Sequence, residues 1–415
     1  MFFRVRLHLY IAALVAAVVT FLVAVELFGD EVVRVVTEDR ILQMPRLLRE
    51  EMDSLDADPP PETEVQSSRT FTKEDPMPLG HNYTWTIVLG KRSADDTDWI
   101  DEELFGMEKA VYVVDNKTAS LHVPKNKGNE AMVYLSYIID HYDNLSDITT
   151  FIHSDRWTWH NNDMFDSDTA MMLKHLIPQR VIREGYVNLR CPWYPGCPTW
   201  LNTSATTATA HAEKREEPFI RTAWPHLFPD DALPAVLSQP CCSQFALSRT
   251  RILDVPRAEY QRLRSWLLAS GWDDGLVGRV FEYVWQYLWT GRPVVCPSPH
   301  ACYCDLYGAC FDDDEDFQSW YELRYWLRRA EWELISWEDV DAKTPGYADK
   351  AQNLLAAQSE ENPERIEELK SDINKKWMRL LDKRDVALRN GKDSTWRARI
   401  AQRNVDIGDG GDLPS

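Results

Sequence analysis

The sequence predicts an α/β fold, a mostly parallel sheet flanked by helices. From Thr84 onward, β-rich runs alternate with helical patterns in a β-α-β-α-β order, the order that builds parallel sheets. The stretch from Asp147 to Asp163, D-I-T-T-F-I-H-S-D-R-W-T-W-H-N-N-D, opens as a strand with β-formers on both faces. Ile148, Thr150 and Ile152 alternate with Thr149 and Phe151, which suits a central strand covered on both sides. A chain of 415 residues has room for a substantial core.

The elements follow in order. Arg4 and Arg6 precede an apolar run from Leu9 to Val25, long enough to cover most of a bilayer's hydrocarbon core. Positive flanks stay in the cytosol, so residues 1–8 are expected as a cytosolic tail and 9–28 as a signal anchor. Ala24-Val25-Glu26 is a poor cleavage site. The expected topology is single-pass type II in the Golgi or endoplasmic reticulum, with the C-terminal part lumenal. Residues 29–80, acidic and holding Pro59-Pro60-Pro61, are expected as a stem that cannot bury enough apolar surface to order itself.

The α/β domain is expected over 81–311. Thr84 to Leu89 is its first strand, Trp99 to Met107 a short helix, and Lys109 to Asp115 a second strand. A helix from Asn129 to Tyr142 aligns Ala131, Leu135, Ile138 and Tyr142 on one face. The strand at 148 comes next, then a helix from Thr169 to Leu176 and an extended segment from Gln179 to Leu189. The stretch from Gln239 to Leu253 reads as another strand entering the core. Pro256 opens a helix ended by Gly271, and a second helix is expected from Leu276 to Trp289. An acidic and helical extension covers 312–390, with an aromatic helix from Phe317 to Trp337 expected to fold on the head. An apolar stripe of Ile366, Leu369, Ile373, Trp377 and Leu380 could also meet a partner. Residues 391–415 are expected to be disordered.

A net charge of −20 excludes a nucleic-acid binder, which needs excess Lys and Arg. Four sequons, at Asn82, Asn116, Asn144 and Asn202, agree with lumenal exposure and a glycoprotein. The eight cysteines are expected as disulfides in that compartment. Cys191 and Cys197 are expected to close a small loop, and the adjacent Cys241 and Cys242 to pair with different partners.

The candidate site gathers after the central strand, where open α/β sheets bind ligands. His153, Asp155, His160 and Asp163 combine imidazole and carboxylate, a donor set for a divalent cation such as manganese. The alternative is a loop held by its own hydrogen bonds. Trp159, with Trp157, can wall a sugar or a base. Lys125 and Lys127 stand before a helix starting near Gly128 and Asn129, and helix N-termini attract anions. Asp166-Ser167-Asp168 is a D-x-D tripeptide that can equally cap a helix. Glu282, beside aromatics, is a candidate acid or base, as is Asp155. A surface pair of Glu282 with Arg279 is the plainer reading.

These residues carry a resemblance. N-K-G-N-E with Y-L-S-Y-I-I, F-I-H-S-D-R-W-T-W-H-N-N-D, G-Y-V-N-L-R-C with P-G-C-P, and C-C-S-Q-F-A-L-S-R followed by G-R-V-F-E-Y-V-W resemble an uncharacterised fungal family. That family is a domain of unknown function, number 3431. The pattern departs at Asp155 and Gln286, where members often carry His. The layout of tail, anchor, stem and lumenal head is also similar to Golgi glycosyltransferases. That resemblance implies a nucleotide-sugar-transferase-like fold, with a nucleotide sugar and a divalent cation as cofactors. The competing class is a non-catalytic membrane protein that binds a glycan or a protein. No G-x-S-x-G elbow supports a hydrolase.

Overall fold

The computed structural model describes residues 67, 69–78, 80–206, 214–338 and 363–408. The expected cytosolic tail, the anchor and most of the stem lie outside them. Among the described residues no helix is long and apolar enough to cross a membrane.

The larger of two compact units covers 51–323 and 377–415. Its centre is a five-stranded sheet in the order β2-β1-β3-β7-β4. The strands are β1 (Trp85–Lys91), β2 (Glu108–Val113), β3 (Ile148–Phe151), β4 (Tyr186–Asn188) and β7 (Phe245–Ser248). A two-stranded sheet pairs β5 (Leu201–Asn202) with β6 (Val236–Leu237). β1 is parallel to β2 and to β3, while β7 is antiparallel to both β3 and β4. The main sheet is therefore mixed, with four strands in one direction and β7 reversed. All four residues of β3 are buried, as its two-sided pattern requires.

Three helices come early: α1 (Trp99–Glu103), α2 (Ala131–His141) and α3 (Thr169–His175). The extended segment expected from Gln179 is instead α4 (Pro178–Glu184), followed directly by β4. Pro178 fits the first turn because it needs no N–H donor there, and Gly185 ends the helix at φ 73°. Next come α5 (Glu217–Leu227), α6 (Arg249–Leu253) and α7 (Arg257–Ala269). The single helix expected over 276–289 breaks at Tyr283 into α8 (Asp274–Glu282) and α9 (Trp285–Thr290).

The core lies between the sheet and the helices α2, α7, α8 and α9. Tyr134, Phe151, Tyr186, Phe245, Trp285 and Trp289 form one aromatic cluster, with neighbouring ring centroids 4.8–6.4 Å apart. Burying each such ring stabilises the fold by roughly 1.5–3 kcal/mol. Ser67, Arg69 and Thr72, assigned from sequence to the stem, already bond to this unit. Ser67 donates to Asp231, Thr72 to Asp254, and Arg69 pairs with Glu259.

The C-terminal helices are α10 (Pro299–Tyr307), α11 (Asp314–Glu338), α12 (Pro363–Asn390) and α13 (Ser394–Gly408). Trp320 Nε1 donates to the Leu380 carbonyl, and Arg384 pairs with Asp166. The far half of α12 thus folds back on this unit. The tail expected to be disordered carries α13, whose Ile400 packs against Ala301, Cys304 and Cys310. The smaller unit holds described residues 324–338 and 363–376, where Arg365 pairs with Glu333.

All eight cysteines are paired, in bonds that differ from those expected. Cys191 joins Cys302 and Cys197 joins Cys296, so the turn between Cys191 and Cys197 is fastened to a distant segment rather than to itself. Cys241 pairs with its neighbour Cys242, and Cys304 with Cys310.

Candidate functional site

The topology itself assembles a corner of polar groups. The chain goes from β1 to β2 on one side, then crosses to β3 on the other, so the strand order switches between β1 and β3. Ligands of open α/β sheets bind beyond the carboxyl ends at such a switch. Because β7 is reversed, Phe245 at its start pairs with Phe151 at the end of β3. The residues leading into β7, Cys241 to Gln244, therefore meet His153.

The hydrogen bonds follow from this juxtaposition. The His153 N–H donates to Gln244 Oε1 at 3.1 Å, and its Nε2 lies 2.9 Å from the Cys242 carbonyl. That carbonyl can only accept, so Nε2 carries the proton. On its other side, the Cys242 N–H donates to Glu282 Oε1 at 2.6 Å. Cys242, at φ 91°, thus links His153 and Glu282 through its own peptide groups. Gln239 Nε2 donates to the Glu282 carbonyl, which the break after α8 makes available.

Helix α8 also meets the start of α2. A Cβ on Gly278 would lie 2.7 Å from Asn129 Nδ2, so only glycine lets Asn129 rest on that turn. Gly128, at φ 67°, packs against Leu267 and Val277 where a side chain would clash. Burial pushes the Glu282 carboxyl up to about 7, and Glu130 and Glu216 add to the push. The Cys242 N–H and the Arg279 charge oppose it. Arg279 pairs with Glu216 at 3.3 Å, so the expected Glu282–Arg279 surface pair is not the main contact of either group.

The remaining expected residues divide. Lys127 is buried, with its Nζ 2.9 Å from the Trp272 carbonyl and 3.5 Å from Asp274. It holds a loop and is not presented to an anion at the start of α2, where Glu130 and Glu282 add negative charge. Lys125 and Asn129 are exposed. Asp155 is exposed at the β1–β3 crevice, where its charge acts on Arg92. Lys91, which ends β1, and Arg92, which follows it, were not singled out in the sequence; their place at a strand's carboxyl end was the available signal.

His153, Asp155, His160 and Asp163 do not gather their donor atoms around one point. Among the described residues, the group that does is Cys241, Cys242 and Glu282. The His153 ring lies edge-on to His160 at 4.6 Å, and Asp163 starts a 3-10 turn. A single cation held by those four does not fit this arrangement.

The loop around them is fixed from within. Asn161 Nδ2 donates to the Ser167 carbonyl and to Thr169, and Asn162 bonds Leu189 and Cys191. Arg190 donates to the carbonyls of Trp159, Asn161 and Tyr194. Asp168 caps α3 and pairs with Arg156 at 3.0 Å, so the D-x-D tripeptide has the capping role. Trp157 and Trp159 stay 65% and 47% exposed on this frame.

The blocks that build this corner fall within residues 87–305, which match the family model described as a protein of unknown function (DUF3431). The chain belongs to this family. Neither the curated proteins nor the solved structures offer a match to it. The DUF3431 match takes in β3, the Cys241–Cys242 pair, β7 and Glu282.

Proposed function

We propose that this protein is a lumenal, membrane-anchored glycosyltransferase-like enzyme that moves a sugar from a nucleotide sugar to a hydroxyl acceptor. The observation that carries the reading is Glu282, a carboxyl held near neutrality at the carboxyl end of β3. A general base works best when its pKa lies near the working pH. Glu282 takes the acceptor's hydroxyl proton as that oxygen bonds to the anomeric carbon. The bond from that carbon to the diphosphate breaks, and its electron pair leaves with the diphosphate. Lys91 and Arg92, at the carboxyl end of β1, are the cations proposed to meet that charge. The exposed asparagines of all four sequons and the four disulfides support a lumenal setting.

The test is a screen of the full chain in detergent against nucleotide sugars and hydroxyl acceptors, with and without manganese. Acceptor-dependent release of the nucleoside diphosphate is expected, with a rate that climbs through about pH 7. Glu282→Gln should lower that rate by roughly 10²–10⁴-fold. A panel in which no nucleotide sugar binds, or a variant as fast as the parent, overturns the reading.

The non-catalytic reading rests on Trp157 and Trp159, two exposed indoles on a rigid loop. Aromatic faces of this kind suit glycan binding. Under that reading Glu282→Gln leaves glycan binding intact and Trp159→Ala abolishes it.

A further inference from the structure

We propose that Cys241, Cys242 and Glu282 form a binding site for a soft divalent cation of the zinc type, opened by reduction of the disulfide between the two cysteines. One donor atom from each of the three residues lies within 4.8 Å of the others. In the bonded form the sulfurs are spent on each other, and a cystine is a poor ligand. Opened, the site offers two thiolates and one carboxylate. That donor set suits zinc, and it leaves a fourth position for water or a substrate atom. The inference does not depend on sugar transfer.

The surroundings hold the three donors in place without the S–S bond. The Cys241 N–H donates to the Pro195 carbonyl at 3.0 Å, and the Cys242 carbonyl accepts from His153. Asn188 Nδ2 donates to the Pro240 carbonyl at 2.6 Å, just before the pair. The Cys242 N–H fixes Glu282 Oε1, so the carboxylate is oriented before a cation arrives. Outer contacts of this kind set the affinity of metal sites. Glu130 and Glu216 lie close enough to act on the Glu282 charge, with Arg279 as the opposing cation; the balance favours a dication.

The chemistry balances with a dithiol as reductant. One of its thiolates attacks a cysteine sulfur, the S–S bond breaks, and the other cysteine leaves as a thiolate. The second dithiol sulfur then displaces the first cysteine, and the reductant departs as a cyclic disulfide. Two electrons pass to the protein, and cation binding releases the thiol protons to solvent.

The experiment titrates the full chain in detergent with a small dithiol and follows each disulfide by alkylation and mass spectrometry. Co²⁺ is the probe, because its thiolate charge-transfer absorption reports sulfur ligation. One equivalent of Co²⁺ per chain should bind with that absorption as Cys241–Cys242 opens, and none should bind with it in the oxidised chain. Glu282→Gln should weaken binding by at least about tenfold. Alkylating the opened pair on the folded chain should abolish the absorption, which avoids relying on a Cys241→Ser, Cys242→Ser variant that fails to fold. The proposal is overturned if the opened chain shows no such absorption, if Glu282→Gln binds Co²⁺ as tightly as the parent, or if the other three disulfides open first.

Discussion

The loop from His153 to Thr169 and the corner at Glu282 are both dense in groups capable of chemistry, but they use them differently. In the loop, Asn161, Asn162, Arg156 and Arg190 are taken up by bonds to neighbouring carbonyls and carboxylates. At the corner, one carboxylate receives one backbone N–H, meets the Tyr283 side chain and sits among other acids. The first arrangement lowers the energy of a shape. The second leaves a proton easily moved at neutral pH. A polar cluster in a sequence does not distinguish them; the accounting of hydrogen bonds does.

The largest effect should come from the bond that fastens the loop's far side. Replacing Cys191 and Cys302 by Ala opens the short ring that this bond closes with the Cys197–Cys296 bond, worth about 3 kcal/mol by loop-entropy reasoning. Urea unfolding should report that loss, and a loss below about 1 kcal/mol would break the assignment of the loop as a held frame. Next, Asn162→Ala strands the Cys191 N–H in a buried place, while the Leu189 carbonyl keeps the Tyr307 hydroxyl. The expected cost is about 2–3 kcal/mol. Abolished turnover with unchanged stability would instead move the chemistry into the loop.

Glu282 sharpens the contrast through pH. Its carboxyl is raised in the fold, from an ordinary value of 4.5 to about 7, so the fold favours the protonated form. Stability from this group is full below about pH 4 and is lost as pH rises through 7. Glu282→Gln keeps the acceptor for the Cys242 N–H and removes the ionisation. It should therefore stabilise the chain by roughly 3 kcal/mol at pH 8 and by almost nothing at pH 4. Denaturation midpoints at the two pH values decide it; equal differences at both would mean that the carboxyl titrates normally. Smallest is Trp159→Ala, within about 0.5 kcal/mol for stability, as befits an exposed side chain. Its larger effect should be on glycan binding, measured by calorimetry.

Much of the fold was legible where a pattern is long or two-sided. β3 announced itself through apolar residues on both faces, and α2 through Ala131, Leu135 and Ile138. The extended segment expected from Gln179 to Leu189 holds at its end as β4, but its first part is a helix, since Pro178 and Gly185 act as helix ends. The reversal of β7 was not legible, since direction in a sheet depends on partners far away in sequence. The cysteine pairs failed for the same reason: Cys191 and Cys197 are near neighbours, yet their partners lie 111 and 99 residues away. Glu282 was visible as a carboxylate beside aromatics. Its link to His153 through Cys242 needed the fold, because only the reversed strand brings those segments together.

The two long disulfides have a consequence for a cut chain. They are nested, Cys191 with Cys302 outside and Cys197 with Cys296 inside. Any single cleavage between Cys197 and Cys296 leaves two pieces joined by two covalent bonds. β7, the Cys241–Cys242 pair and Glu282 all lie within that stretch. A protease nick there releases no fragment: the product migrates as one species without reductant and separates into two with it. A processing event in this region would thus go unseen by size under oxidising conditions while freeing two new chain ends near the corner.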